Sequence, residues 1–148
     1  MSALADFLAG RSPDAHGRTH AEILAWPDED LEARHDFIQW LFPLPEASRA
    51  VPGSPVLRQA DIEAVRASPA AQRNLAAAAA RMLAFYRASD HWLRSHDHNH
   101  LRITRIIRSL RLLAGEAPAD AFRSAILARV GQNGGGVNPT TLDYWAQA

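Results

Sequence analysis

The chain has 148 residues, a formal net charge of zero and no cysteine. A neutral chain of this length favours one domain with a sizeable core and gives no overall attraction to nucleic acid or to acidic membranes. The lack of cysteine excludes disulfides and thiolate zinc sites. All 16 basic residues are arginines, which is typical of GC-rich coding and predicts a bacterial source. The N-terminus lacks the features of a signal peptide and no apolar run is long enough for a transmembrane segment, so we expect a cytoplasmic protein.

Apolar residues recur with helical periodicity, and no segment shows the alternation of a strand. We therefore predict an all-α fold, a single-domain helical bundle of about six helices. Residues 1–18 are expected to form an N-terminal segment, residues 19–131 the helical domain, and residues 132–148 a glycine-rich linker with a short C-terminal helix. This last helix is expected to dock on the domain or on a second copy, or otherwise to fray.

Residues 31–42 are expected to form the central helix of the bundle. Three acidic residues at positions 28–30 suit the positive end of a helix, and Pro43 ends it. Large apolar side chains on two faces predict burial on two sides, with the helices at residues 69–88 and 99–114 packed on it. His35 falls on a buried face, either as a core histidine bonded to a neighbour or as a histidine that contacts a ligand or senses pH.

Capping residues predict where several helices begin and end. Thr19 is expected to cap a short helix, Asp61 another, and Ser68, which precedes a proline, a long one. Gly115 is a natural stop for the helix at residues 99–114, and Pro118 is expected to open the next helix.

Two stretches resemble the signatures of a known family. The first is EARHDFIQWLFP at residues 32–43, followed by EASR at residues 46–49. The second is NHLRITRII at residues 99–107, followed by RSL at residues 108–110. In this order they resemble the conserved region of the opioid growth factor receptor family, and the resemblance extends over roughly residues 20–130. The family is named for a protein that binds an opioid pentapeptide, is associated with the nucleus and membranes, and restrains cell growth.

The resemblance implies a non-catalytic module that binds a peptide or protein partner. The residues expected to contact this ligand are His35, Trp40, His100, Arg102 and Arg105. They predict an exposed aromatic groove with arginines at its rim, whereas fully buried and mutually bonded side chains would indicate a structural role. No cofactor, resident metal or nucleic-acid partner is expected, and the oligomeric state is left open.

A histidine cluster at residues 91–100 indicates an alternative function, that of a small-molecule or metal-dependent enzyme. Imidazole binds zinc, nickel and copper, and His96 and His100 are four residues apart. A third ligand would come from Asp97 or His91. No metalloprotease pattern, nucleophile elbow or phosphate-binding loop supports a specific reaction. The other interpretation is a polar helix entry in which Asp97 or Asn99 is the N-cap.

Residues 99–114 carry four arginines and no acidic residue. Guanidinium groups bind carboxylates and phosphates bidentately, so this row could form a surface for anions or acidic peptides. The alternative is internal pairing with Glu32, Asp36 or the acidic residues at positions 28–30. Such pairs would position helices more than they would stabilise them.

Overall fold

The computed structural model describes residues 2–148, which form nine α-helices and no β-strand. The all-α class is therefore confirmed. The helices are α1 (Ala3–Leu8), α2 (His20–Leu24), α3 (Asp28–Ala33), α4 (Ile38–Leu41), α5 (Gln59–Ala67), α6 (Pro69–Ala88), α7 (His98–Leu113), α8 (Glu116–Gln132) and α9 (Pro139–Gln147).

The chain divides into two compact units, Met1–Ala78 and Ala79–Ala148, and the boundary falls inside α6. Within residues 2–148, no helix combines the length and the apolar character that a membrane crossing requires.

The short helices of the Met1–Ala78 unit are held by caps and by burial of their apolar sides. The Thr19 hydroxyl accepts the Glu22 N–H at 3.1 Å and the Glu22 carboxylate accepts the Thr19 N–H at 3.1 Å, which confirms the predicted cap of α2. Helices of this length are unstable alone, and α1 packs on both α4 and α5. Phe7 and Leu8 of α1 are fully buried.

The prediction of a single helix at residues 31–42 is wrong. Its place is taken by α3 and α4, because Arg34 is extended with ψ at 139°. Arg18 explains the interruption: it donates to the Asp36 carboxylate at 2.8 Å and to the Asp36 carbonyl oxygen at 3.2 Å. A continuous helix would use that carbonyl for its own ladder. The guanidinium carbons of Arg18 and Arg34 also lie 5.2 and 4.9 Å from the Trp26 ring centroid, a cation–π arrangement.

The interruption changes which residues of this segment are buried. His35 lies at the surface between the two helices, so its expected burial is wrong. Phe37, Leu41 and Phe42 are fully buried, and their burial anchors the segment. A tertiary contact from a residue 18 positions earlier has therefore overridden the local helical pattern.

Two further helix starts differ from the prediction. Asp61 is not the N-cap of α5 but its third residue, where its carboxylate accepts the Arg58 N–H at 2.9 Å. Likewise α8 begins at Glu116, two residues before Pro118, because a proline within the first turn lacks only an N–H that has no helical partner there. Ser68 caps α6 as predicted, by accepting the Ala71 N–H at 3.1 Å.

In the Ala79–Ala148 unit, α7 packs on α8 and α9. The predicted apolar side of α7 is confirmed, since all its members are buried: Ile103, Ile106, Ile107, Leu110 and Leu113. Each such side chain contributes roughly 1.5–3 kcal/mol on transfer from water. From α8, Phe122, Ile126 and Val130 are buried, whereas Leu127 is exposed.

The C-terminal helix α9 docks on its own chain. Its Trp145 is fully buried, and the indole Nε1 donates to the His100 carbonyl oxygen at 3.1 Å. Asn138 caps α9 by accepting the Thr141 N–H at 2.9 Å. Of the outcomes expected for this segment, docking on the chain itself is the one observed.

We predict that α9 depends on Trp145 and not on its neighbour Tyr144. Trp145→Ala removes a fully buried indole and its hydrogen bond, which should lower the free energy of unfolding by about 3 kcal/mol. Tyr144→Ala changes a side chain that is 58% exposed, so it should cost less than about 0.5 kcal/mol. Urea unfolding followed by circular dichroism measures both, and equal costs would contradict this account of α9.

We also predict that His20 makes stability depend on pH. Burial lowers the pKa of His20 from 6.5 to about 4, and its buried Nε2 has no hydrogen-bond partner in the described chain. Between these values the unfolded chain binds a proton that the folded chain does not, so stability falls as the pH falls. The free energy of unfolding should drop by about 2 kcal/mol from pH 7 to pH 5.

The control for this pH dependence is an exposed histidine. His20→Phe should abolish most of the loss between pH 7 and pH 5, whereas His91→Ala should retain it. Retention of the full dependence in His20→Phe would show that another group is responsible.

Candidate functional site

The start of α7 is fixed by Asp97. Its carboxylate accepts the Asn99 N–H at 2.9 Å and the Asn99 side-chain amide at 3.0 Å, and it pairs with Arg94 at 2.9 Å. Burial opposes ionisation of this side chain, but the bonds from Asn99, the nearby His98 and the Arg94 guanidinium outweigh it and lower the pKa of Asp97. Of the two N-caps that the sequence left open, Asp97 is the one used.

Behind this cap lies a chain of buried hydrogen bonds. The Trp92 Nε1 donates to the Tyr86 carbonyl oxygen at 3.1 Å, and His100 Nε2 lies 2.8 Å from the Trp92 carbonyl oxygen. Because a carbonyl only accepts, His100 must carry its proton on Nε2. Its own carbonyl accepts from Trp145. These contacts join the end of α6, the following loop, α7 and α9.

The second signature stretch contributes two more buried polar residues. The Asn99 side-chain oxygen accepts from the Tyr86 hydroxyl at 3.1 Å and from an Arg102 guanidinium nitrogen at 3.5 Å. Asn99 is fully buried, and Arg102 is 6% exposed. Buried polar groups that satisfy one another in this way determine packing, so Asn99 and Arg102 have a structural role.

A surface cleft of about 500 Å³ opens beside this network, between the start of α7 and α9. Two of the four large apolar side chains that are exposed in the described residues lie in it, Leu101 at 74% and Tyr144 at 58%. The other lining residues are polar: Arg94, His96, Asp97, His98, His100, Thr104 and Thr141. The arrangement combines apolar contact area with hydrogen-bonding groups.

The histidines of this region are not grouped with enough further ligands for a metal ion in residues 2–148. No group of three or more histidine, cysteine, aspartate or glutamate side chains in residues 2–148 is placed to hold a metal ion. His100 Nε2 is bonded to a carbonyl, which leaves only Nδ1 for a metal, and the Asp97 carboxylate is occupied by the helix cap. His91 does not line the cleft and lies edge-on to Phe85, with 6.1 Å between ring centroids.

The five residues predicted to bind a ligand lie in different settings. His35 and Trp40 belong to the Met1–Ala78 unit, where His35 is exposed and the Trp40 ring packs edge-on to Phe7 at 5.3 Å. His100, Arg102 and Arg105 belong to the other unit. Only His100 among the five lines the cleft, Arg102 is buried, and Arg105 is half-buried.

The arginine row of α7 is not a uniform anion-binding surface. Arg102 bonds Asn99, and Arg111 pairs with Asp120 at 2.8 Å. The predicted pairing of Asp36 with this row is wrong, because Asp36 pairs with Arg18 at 2.8 Å instead. Asp36 and Arg111 thus each have a partner within the chain that sequence spacing could not identify. Pairing of Glu32 or the acidic residues at positions 28–30 with this row stays a prediction.

Sequence reasoning missed the cleft residues Leu101, Thr141 and Tyr144. Leu101 belongs to the second signature but departs from the apolar side of α7, and this departure is the signal that could have marked it as exposed. Thr141 and Tyr144 belong to the last helix, and their approach to α7 follows only from the docking of Trp145.

The chain is an all-α module with a small surface cleft between α7 and α9. Residues 22–92 match the family model described as "Opioid growth factor receptor (OGFr) conserved region". The second signature stretch at residues 99–107 lies outside the matched residues. No solved structure matches the chain significantly.

Three curated relatives carry the name opioid growth factor receptor. Those of Rattus norvegicus and Mus musculus are both 38% identical over 105 residues, which cover 57% of this chain and 18% and 16% of the relatives. That of Homo sapiens is 32% identical over 146 residues, which cover 81% of this chain and 21% of the relative. The chain therefore spans about a fifth of the length of the relatives it matches.

The family-model match and the relatives show that this chain is similar to the opioid growth factor receptor conserved region. The resemblance of the stretch at residues 32–43 to the family signature agrees with the match, since these residues lie within it.

We predict that Asp97 stabilises the protein through its cap. Asp97→Ala removes the acceptor for the Asn99 N–H and should lower the free energy of unfolding by about 1 kcal/mol at pH 7. Asp97→Asn retains a capping acceptor and should cost less. Thermal and urea unfolding of the three proteins measure the difference.

The stability of the same variants should depend on pH in different ways. A lowered pKa in the folded state means that ionised Asp97 contributes stability above about pH 4, and that this contribution disappears as the pH falls through the folded value. Asp97→Asn should therefore lose less stability than the wild type on acidification below pH 4. Parallel acid curves for the two proteins would argue against this assignment.

Proposed function

We propose that this chain is a non-catalytic binding module whose ligand is a peptide or a peptide segment of a protein partner, and that the cleft between α7 and α9 binds it. The observation that carries the proposal is the pair Leu101 and Tyr144, two large exposed apolar side chains in one cleft. Isolated exposed apolar residues are ordinary, but a contiguous pair in a cavity rimmed by polar groups is typical of an interaction site.

The polar lining suits a peptide better than a purely apolar ligand. Thr104 and Thr141 offer hydroxyl groups, and His96 and His98 offer ring nitrogens, at the edge of the apolar surface. A peptide presents both an apolar side chain and backbone N–H and C=O groups, so it can use both parts of the lining. The charges of Arg94 and Asp97 compensate each other, so the ligand needs no net charge.

Of the predicted ligand residues, His100 stays within this proposed surface because it lines the cleft. Arg102 would support the surface by positioning Asn99 and would not contact the ligand. A ligand role for His35, Trp40 and Arg105 stays a prediction.

The relatives are named receptors, and the name supports a binding function here. This chain spans about a fifth of their length. That it binds the same ligand as the relatives is therefore a proposal. A bacterial source and a cytoplasmic location remain part of the same proposal, the source on the basis of a chain whose basic residues are all arginines. Association with membranes, which the resemblance implies for the family, stays a prediction for this chain.

The alternative function, a metal-dependent enzyme near residues 91–100, has one observation in its favour. His96, His98 and His100 all line the same cleft. A metal would have to bind His100 through Nδ1, because Nε2 is bonded to the Trp92 carbonyl, and residues 2–148 contain no group of three or more ligands placed around such a position. We therefore favour the peptide-binding function.

We predict that peptides selected on this protein bind through Leu101 and Tyr144. A random heptapeptide display library is selected on the wild type, and the dissociation constants of the enriched peptides and of the opioid pentapeptide are measured by fluorescence anisotropy. Truncation of an anchoring aromatic residue costs about 2 kcal/mol, so Tyr144→Ala should weaken binding by about 30-fold. Leu101→Ala should also weaken it.

The matched control is Leu127→Ala, which truncates an equally large exposed apolar side chain on α8 outside the cleft. It should leave the affinity within about twofold. If Tyr144→Ala binds the peptides as tightly as the wild type, the cleft is not the binding site. A selection that enriches no peptide would contradict peptide binding. Zn²⁺ titration in the same assay tests the enzymatic alternative, which requires tight zinc binding that His96→Ala abolishes.

A further inference from the structure

A second cavity of the Ala79–Ala148 unit has a different chemistry from the cleft. It measures about 300 Å³ and is lined by Arg87 from the last turn of α6 and by residues near the end of α8: Ala125, Ala128, Arg129 and Gln132. Two guanidinium groups and one carboxamide thus face a space bordered by small alanine side chains. No acidic residue contributes to the lining.

Neither arginine is neutralised within the described residues. Arg87 is exposed and has no ion pair or side-chain hydrogen bond there. Arg129 donates one guanidinium nitrogen to the Ser89 carbonyl oxygen at 3.1 Å, and its Nε is buried without any hydrogen-bond partner. A buried donor on a charged group is costly when unpaired, so such donors normally have an acceptor in the functional protein.

A simpler explanation accounts for only part of this arrangement. Both arginines lie in the last turns of their helices, where a positive charge favours the exposed carbonyl ends. This attraction explains why positively charged residues occur at these positions. The bond of Arg129 to the Ser89 carbonyl oxygen, just after the end of α6, is an example of it. It does not explain the unpaired Nε of Arg129 or the open space that the two alanines leave beside it.

We propose that this cavity binds an oxyanion, the phosphate or carboxylate group of a small molecule. Guanidinium groups bind both kinds of anion through paired N–H donors. The anion would accept from the guanidinium groups of Arg87 and Arg129, with a rearrangement of the Arg129 side chain that exposes its buried Nε, and the Gln132 amide would provide one further hydrogen bond. The volume is at the lower end of the range for ligand cavities, which favours a small molecule over a folded partner.

The experiment measures the Nε–Hε resonances of the arginines by two-dimensional NMR at low ionic strength, during titration with sodium phosphate and, separately, with sodium acetate. Sodium chloride at matched ionic strength corrects for screening. One of the two oxyanions should shift the Arg129 resonance saturably. Stronger binding of phosphate would identify a phosphate group as the ligand, and stronger binding of acetate a carboxylate.

Two variants assign the binding to the cavity. Arg87→Ala removes a charge from an exposed, unbonded side chain and should weaken anion binding about tenfold or more, the equivalent of one charge-assisted hydrogen bond. Arg129→Lys keeps the charge but loses the Nε donor, and it should also weaken binding. The control is Arg73→Ala, which removes an exposed arginine of α6 that does not line the cavity and should change the affinity less than about twofold.

Circular dichroism and thermal unfolding establish that each variant is folded. The proposal is overturned if neither oxyanion shifts the Arg129 resonance more than chloride does. It is equally overturned if Arg73→Ala weakens binding as much as Arg87→Ala, since binding would then reflect net charge and not this cavity. Failure of peptide binding at the α7–α9 cleft would leave this proposal unaffected, because the two sites share no lining residue.

Discussion

The arrangement of the Ala79–Ala148 unit depends on the hydrogen bond between His100 Nε2 and the carbonyl oxygen of Trp92. The loop between α6 and α7 has no helical ladder to satisfy its buried carbonyl groups, so side chains must do it. The bond of the Trp92 indole to the Tyr86 carbonyl fixes one end of this loop, and His100 fixes the other. Loss of the histidine would leave a buried carbonyl unsatisfied, which usually costs more than the bond itself contributes.

This constraint explains why a stretch that resembles a family signature is largely buried. Asn99 and Arg102 bond to one another and their side chains are nearly inaccessible to a ligand, whereas His100 lines the cleft. Leu101 occupies the opposite side of the same helical turn and is 74% exposed. A signature of this kind therefore contains both the residues that hold the helix in place and the residue that the helix presents to solvent. Similarity alone does not distinguish the two roles.

Local patterns predicted the helices well where local interactions determine them. The caps Thr19 and Ser68, the apolar side of α7 and the start of α9 at Pro139 all follow from spacing and side-chain chemistry. The interruption at residues 34–37 could not be predicted in this way, because it depends on Arg18, which is remote in sequence. The cleft was missed for the same reason, since its two sides come from helices joined by a single buried tryptophan.

The same buried contact sets the separation of the two exposed residues in the cleft. Leu101 follows His100 in the chain, and Tyr144 precedes Trp145. The His100 carbonyl accepts from the Trp145 indole at 3.1 Å, and the two rings meet edge-on with 5.7 Å between centroids. Each exposed side chain is therefore attached to a backbone position that is fixed by its buried neighbour. A surface held in this way loses little conformational freedom when a ligand binds, and such preorganisation increases affinity without additional contacts. The buried residues Asn99 and Arg102 would thus contribute to binding through the rigidity of the cleft, although they do not line it.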